Sequence, residues 1–124
     1  MSLDVVTENH EDLILVTLGG ELDIYTVATF RRDLEPVDPA SSQVVLDLTE
    51  VTLLDSSGLG ALVSLLNRAR GGQGQLGLIV PHRRLRRVFE ITGLRRAFVF
   101  GDDLESVRSA LAGEAPASAD SSAS

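Results

Sequence analysis

The residues of this chain best suited to chemistry lie in Asp55-Ser56-Ser57-Gly58-Leu59-Gly60. Two hydroxyls stand beside a carboxylate, and two glycines follow at once. A hydroxyl in such a place has three uses: it attacks as a nucleophile, caps a helix, or accepts a phosphoryl group from another protein. Nucleophilic attack needs a general base, and the strand-turn-helix elbow of hydrolases also wants glycine two residues before and after the serine. Leu54 stands two before Ser56, and Asp55 two before Ser57. The histidines are His10, in an early polar turn, and His82, at the opening of a later helix, so neither is placed as a base. An aspartyl phospho-acceptor of the receiver type requires a lysine, as does a phosphate-cradling P-loop. All eleven basic residues here are arginine. Capping is the ordinary role of serine or aspartate at a helix start. It leaves Gly58 and Gly60 unexplained, since each costs a helix about 1 kcal/mol relative to alanine. Two such residues leave the backbone bare and a neighbouring hydroxyl open to a kinase. The free N–H groups and positive dipole end of the helix would then receive the phosphate.

The surrounding elements must hold this corner. Val44 to Leu48 reads as a buried strand, apolar at both parities as in a sheet covered on both faces. A polar break at Thr49-Glu50 separates it from a second apolar run ending at Leu54. After the corner, Leu59, Leu62, Val63, Leu66 and Ala69 form a helical core stripe, with Ala61 and Leu65 about a quarter turn off it. Gly71-Gly72-Gln73-Gly74 stops that helix. Upstream, residues 4–8 and 13–18 form a strand hairpin about Asn9-His10-Glu11-Asp12, and Gly19-Gly20 ends its second strand. A helix with Val27, Phe30 and Leu34 on its core face follows, capped by Thr26 or Asp23 and ended by Pro36 and Pro39. Downstream come a strand at Leu76 to Val80 and a helix from about His82 with Leu85, Val88 and Phe89. Then come a short strand at Ala97 to Phe100 and a last helix with Leu104, Val107 and Leu111, capped by Asp102 or Asp103. The order β-β-α-β-α-β-α-β-α predicts an α/β fold: a mixed, mainly parallel sheet of about five strands packed with about four helices.

The 124 residues form one domain by length, 44% hydrophobic and 23% charged, as in an ordinary globule. The net charge of −7 argues against direct contact with nucleic acid or an anionic membrane. No cysteine is present, so thiolate chemistry is absent. No basic segment leads an apolar core at the N-terminus and no apolar run is long enough for a membrane span, which predicts a cytoplasmic protein. The domain is expected over residues 1–112. From Gly113 to Ser124 the chain is small and polar and is expected to be a disordered tail. Arg83, Arg84, Arg86 and Arg87, with Arg95 and Arg96 beyond, read either as a solvated face or as a surface meeting an acidic partner.

The hexapeptide Asp55 to Gly60, preceded by Val45-Leu46-Asp47-Leu48 and Val51-Thr52-Leu53-Leu54, resembles the signature of bacterial anti-sigma factor antagonists, the STAS-domain family. Gly20-Glu21-Leu22-Asp23 with Thr26 and Ala28 resembles the family's segment from second strand to first helix. Phe89-Glu90-Ile91-Thr92-Gly93-Leu94 resembles its later helix and turn. The resemblance covers about residues 4–112. It implies a non-enzyme whose unphosphorylated form binds an anti-sigma factor that is also a serine kinase, freeing a sigma factor. Phosphorylation of Ser56, with Ser57 the alternative, switches it off, and a PP2C-type phosphatase reverses the mark. It carries no cofactor of its own, since ATP and Mg²⁺ belong to the kinase. Asp23, Asp55, Ser57, Gly58, Leu59, Gly60, Ala61 and Leu65 are the expected partner-binding residues. Asp23 also reads as a helix cap and Leu65 as a core-edge residue. A STAS scaffold subunit of a sensory or lipid-transport complex is the alternative role.

Overall fold

A computed structural model describes residues 2–113. The expected tail beyond Gly113 lies outside the described residues. The described chain forms β1 (Leu3–Asn9), β2 (Ile14–Leu22), α1 (Val27–Asp33), β3 (Gln43–Leu54), α2 (Ser56–Arg70), β4 (Gln75–Ile79), α3 (Arg83–Ile91), β5 (Val99–Gly101) and α4 (Leu104–Leu111). This is the element order that the alternation of strand and helix patterns predicts. The strands lie in one sheet in sequence order, β1-β2-β3-β4-β5. β1 pairs with β2 antiparallel, and the remaining neighbours pair parallel.

A sheet that grows in one direction through right-handed crossovers puts its connecting helices on one face. Val44, Leu46 and Leu48 of β3 accordingly share a core with Phe30 of α1, Leu59 and Leu62 of α2, and Leu85 and Phe89 of α3. The opposite parity, Val45 of β3 with Ile79 of β4, packs against Val107 and Leu111 of α4. That explains why Val44 to Leu48 is apolar throughout: both faces of the strand are covered. Asp103 caps α4, its carboxylate accepting from the Ser106 N–H at 2.8 Å. This bond, and then one from the Ser106 hydroxyl, hold the Asp103 carboxyl below the usual carboxylate range.

Two expected strand ends are corrected. β2 does not stop at Gly19-Gly20 but runs on to Leu22. The Thr49-Glu50 break does not divide β3. The β2–β3 register slips between Thr17/Gly19 and again between Gly20/Glu21, so β3 spends one more residue than β2 at each place. Such bulges absorb residues that do not suit a regular ladder and bend the strand. Asp47 supports the first one, its Oδ1 accepting from the Thr49 N–H at 3.0 Å and the Thr49 hydroxyl at 2.6 Å. Gly20 serves the second with φ of +108°, a conformation that side chains disfavour. Pairing on both sides carries the strand through the glycines, with the Glu21 N–H held by the Ser2 carbonyl at 3.0 Å.

Phe89 is fully buried and meets Phe98 and Phe100 edge to face, with centroids 5.8 and 5.1 Å away. Phe89→Ala should cost about 3–5 kcal/mol, as large aromatic truncations in cores do, read from the urea unfolding midpoint. Because the Asp103 carboxyl is held below its ordinary value, the cap stabilises the fold above the usual carboxylate range and loses this effect as pH falls through the lowered value. The stability gap between the parent chain and Asp103→Asn should therefore close on acidification, as followed by helical circular dichroism under urea.

Candidate functional site

The site is built where two parallel strands end side by side. Leu22 of β2 and Leu54 of β3 are register partners, and an aspartate follows each. Asp55 is the N-cap of α2, in extended backbone. Its Oδ1 accepts from the Gly58 N–H at 2.9 Å, and its Oδ2 accepts from the Ile24 N–H at 3.2 Å. One carboxylate thus ties the start of α2 to the loop between β2 and α1. The Asp55 N–H also donates to the Leu22 carbonyl at 3.3 Å. The cap is the aspartate, so neither serine hydroxyl is spent on that role.

Asp23 organises the second loop. Its Oδ1 accepts from the N–H groups of Tyr25 at 2.9 Å and Thr26 at 3.1 Å. The Thr26 hydroxyl accepts from the Asp23 N–H at 3.0 Å and donates to the Glu21 carbonyl at 2.7 Å. Thr26 is the N-cap residue of α1, but its hydroxyl accepts no N–H from the helix; Asp23 and Thr26 instead satisfy each other's backbone ahead of it. Asp23 is 3% exposed, and its Oδ2 is buried without a partner among the described residues. In the free domain its carboxylate is turned inward onto the backbone of the loop rather than toward the surface. It holds the loop from beneath.

Ser56 is exposed and Ser57 half-buried, both in the first turn of α2. Gly58 and Gly60 behave differently. A Cβ on Gly58 would strike the Leu22 carbonyl oxygen and come within 2.8 Å of Leu54 Cδ1 and 2.9 Å of Leu22 Cγ. The helix start is pressed onto the ends of both strands, and only glycine fits there. A Cβ on Gly60 would meet nothing within 4 Å. Ala61 and Leu65 are 2% and 4% exposed, and Gly58 and Leu59 are also buried. In the free domain these four, expected to shape a docking surface, pack inward and anchor α2 in the core. Packing by α1 and the sheet together covers a wider arc of α2 than the stripe assigned from periodicity.

Residues that periodicity passed over stand at the surface instead. Ile24 is 63% exposed and Tyr25 75%, both in the loop that Asp23 and Asp55 hold, and Leu53 at the end of β3 is exposed as well. Ile24 and Tyr25 are adjacent in the chain, so two large apolar side chains stand uncovered side by side in that loop. The signal was legible as two bulky apolar residues directly after Asp23 and outside any helical stripe. His10 and His82 stand elsewhere: His10 lies 3.5 Å from Glu8, and His82 Nε2 donates to the Thr49 carbonyl at 2.7 Å. Ser56 therefore has no histidine base.

The STAS domain family matches residues 4–107. The chain belongs to the STAS domain family. This STAS chain is 35% identical over 96 residues to an anti-sigma-B factor antagonist of Staphylococcus epidermidis, covering 77% of this chain and 89% of that protein. Among solved structures, an anti-sigma factor antagonist from Mycobacterium paratuberculosis superposes with a TM-score of 0.75 at 26% identity, covering 90% of this chain and 95% of the other. The Bacillus cell fate determinant SpoIIAA in its phosphorylated form shares the fold, with a TM-score of 0.65 at 20% identity over 86% of this chain and 99% of its own. Among the described residues of the STAS chain, no helix is long and apolar enough to cross a membrane.

The two glycines should separate in a stability experiment. Gly58→Ala forces a methyl against backbone and should destabilise by about 1–3 kcal/mol. Gly60→Ala should leave stability unchanged or raise it by up to about 1 kcal/mol, since alanine is the better helix former. Chemical denaturation of the two variants beside the parent chain checks both.

Proposed function

We propose that this STAS domain is an anti-sigma factor antagonist controlled by phosphorylation of Ser56. The observation that carries the reading is an exposed hydroxyl in the first turn of α2, left free because Asp55 provides the cap, beside the exposed Ile24 and Tyr25. The relatives named anti-sigma-B factor antagonists support the same role. Ser56 is here a substrate, not a catalyst. The partner is an anti-sigma factor that is a serine kinase and brings its own ATP, a PP2C-type phosphatase removes the phosphate, and the exchange takes place in the cytoplasm. Ser57, half-buried, is the second candidate acceptor.

The switch follows from where the charge would arrive. A phosphate adds about −1.5 to −2 charges at neutral pH. Within the free domain it meets the positive end of α2 and the N–H groups of its first turn, so the fold has no need to rearrange. Beneath a docked partner the same charge lies among apolar side chains, beside the Asp55 carboxylate, and cut off from water. Repulsion and desolvation then act on the complex alone. A coupling of about 1–3 kcal/mol corresponds to roughly 5–150-fold in affinity. Ile24 and Tyr25 provide the apolar grip, and the buried Asp23 keeps their loop in place.

Incubation with candidate anti-sigma kinases and ATP, followed by mass-spectrometric mapping, should find phosphate on Ser56. Ser56→Ala should bind the anti-sigma factor and accept no phosphate, and Ser56→Asp should lose at least about tenfold in affinity, within the coupling range above. Phosphate on Ser57 alone would move the acceptor by one residue. Binding indifferent to Ser56→Asp, with no phosphate in the corner, would remove the switch.

A further inference from the structure

The arginine cluster of α3 is not used by the Ser56 corner, and its members have separate fates. Arg86 is structural: its Nε donates to the Val80 carbonyl at 2.6 Å and its guanidinium pairs with Asp102. Arg95 pairs with Glu90 at 3.6 Å. Arg83 and Arg84 are exposed, and the ion pairs among the described residues engage Arg32, Arg86, Arg95 and Arg108 but neither of these two. They occupy the first turn of α3, which contains no acidic residue and receives no side-chain cap from His82. Cations oppose the helix dipole there. Two uncompensated arginines at the wrong end of a helix, in a chain of net charge −7, break a local rule without any return inside the fold.

Both arginines line an open cavity of about 710 Å³. The rest of its lining is Thr49 to Thr52 of β3 together with Pro81 and His82. The cavity exists because β3 outruns its neighbour. The last β3–β4 pair is Asp47 with Ile79, whereas β3 continues to Leu54. The bulged stretch thus has no strand beside it on the β4 side. His82 spans the gap at one point through the Thr49 carbonyl. Glu50 is the one carboxylate of the lining, against two guanidinium groups.

We infer that this cavity receives an acidic, extended segment of the same partner that covers Ser56, its carboxylates paired with Arg83 and Arg84. The inference rests on the proposed function for the identity of the partner. The cavity and the corner share one strand. Thr52 lines the first, and four residues at about 3.3 Å each lead to Ser56. A standard protein interface of about 800 Å² per side is wide enough to span both. Paired guanidinium forks select carboxylates by geometry as well as by charge. The surface then has an apolar, hydroxyl-bearing end at the corner and a cationic end at the free arginines, an arrangement that sets docking orientation.

The test has two arms. In the first, isotope-labelled full chain is titrated with an acetylated octapeptide of alternating Glu and Ala, and with its Gln-for-Glu counterpart. Amide shifts at Thr49 to Thr52 and His82 to Arg84, seen only with the Glu peptide and abolished by Arg83→Glu/Arg84→Glu, support the inference. Shifts that are absent or scattered over the surface overturn it, as does inorganic phosphate reproducing them at equal concentration. In the second arm, affinity for the anti-sigma kinase that phosphorylates Ser56 is measured. Arg83→Glu/Arg84→Glu should weaken it by about tenfold or more at low salt, with the loss shrinking near 1 M salt, where screening acts within about 3 Å. The charge-matched Arg87→Glu/Arg96→Glu should change it much less. If Ser56→Asp abolishes binding while the Arg83/Arg84 pair is inert, the inference falls and the function stands. If no anti-sigma factor binds, the function falls and the partner's identity falls with it.

Discussion

The corner depends on one carboxylate with two loyalties. Asp55 Oδ1 closes the first turn of α2, and Oδ2 holds the Ile24 N–H across the gap between two strand ends. A serine cap would have one oxygen and one task. An aspartate has two oxygens and serves both loops, which keeps α2 and the β2–α1 loop in fixed relation. It also frees Ser56 from local hydrogen bonding. A phospho-acceptor must be presented to another protein's active site, and a hydroxyl tied into its own helix cap would have to be released first. The rule that backbone donors at a helix start need an acceptor is met here by the one neighbour that leaves the serine available.

The fold supplies the rigidity that this arrangement needs. The carboxyl ends of β2 and β3 lie side by side only because β3 takes up two bulges, each letting it spend an extra residue while β2 continues through Gly19-Gly20. Gly58 then lets α2 descend onto both strand ends. α4 closes the opposite face over β3 and β4. The interior is thus committed on both sides, and the exposed chemistry lies in loops and first helical turns at one end of the sheet. Functional residues on loops held by a stiff scaffold are the usual economy of small domains.

Charge is distributed with the same logic. The acidic residues nearest the corner are turned inward to hold backbone, Asp23 fully and Asp55 in part, so the surface presented there is apolar and hydroxylic rather than strongly anionic. A phosphate arriving at such a surface changes its character far more than it would on an already acidic one. The free arginines lie on the other side of β3, at the start of α3, and give the surface a direction.

Most of the fold was legible in the chain. Two strand runs, then helix stripes alternating with apolar strands, specified the element order, and the apolar continuity of Val44 to Leu48 announced a strand covered on both faces. The hexapeptide Asp55 to Gly60 marked the corner, since the residue types that catalysis requires are missing around it. Three things were not legible. Glycines at the end of β2 and polar residues within β3 read as stops, because local propensity argues for an end and only pairing with neighbours carries a strand through. Ala61 and Leu65 read as borderline, because periodicity assigns a stripe one helix face wide and cannot count how many elements pack against it. Asp23 read both as a partner-binding residue and as a helix cap, because its burial is produced by partners that are local in sequence but closed only in three dimensions. The sequence by itself thus determined the order of elements and the chemistry available at the corner, since both follow from residue type and spacing. Only the tertiary structure decided which of those residues are exposed, because exposure is a property of what packs against a residue rather than of the residue itself.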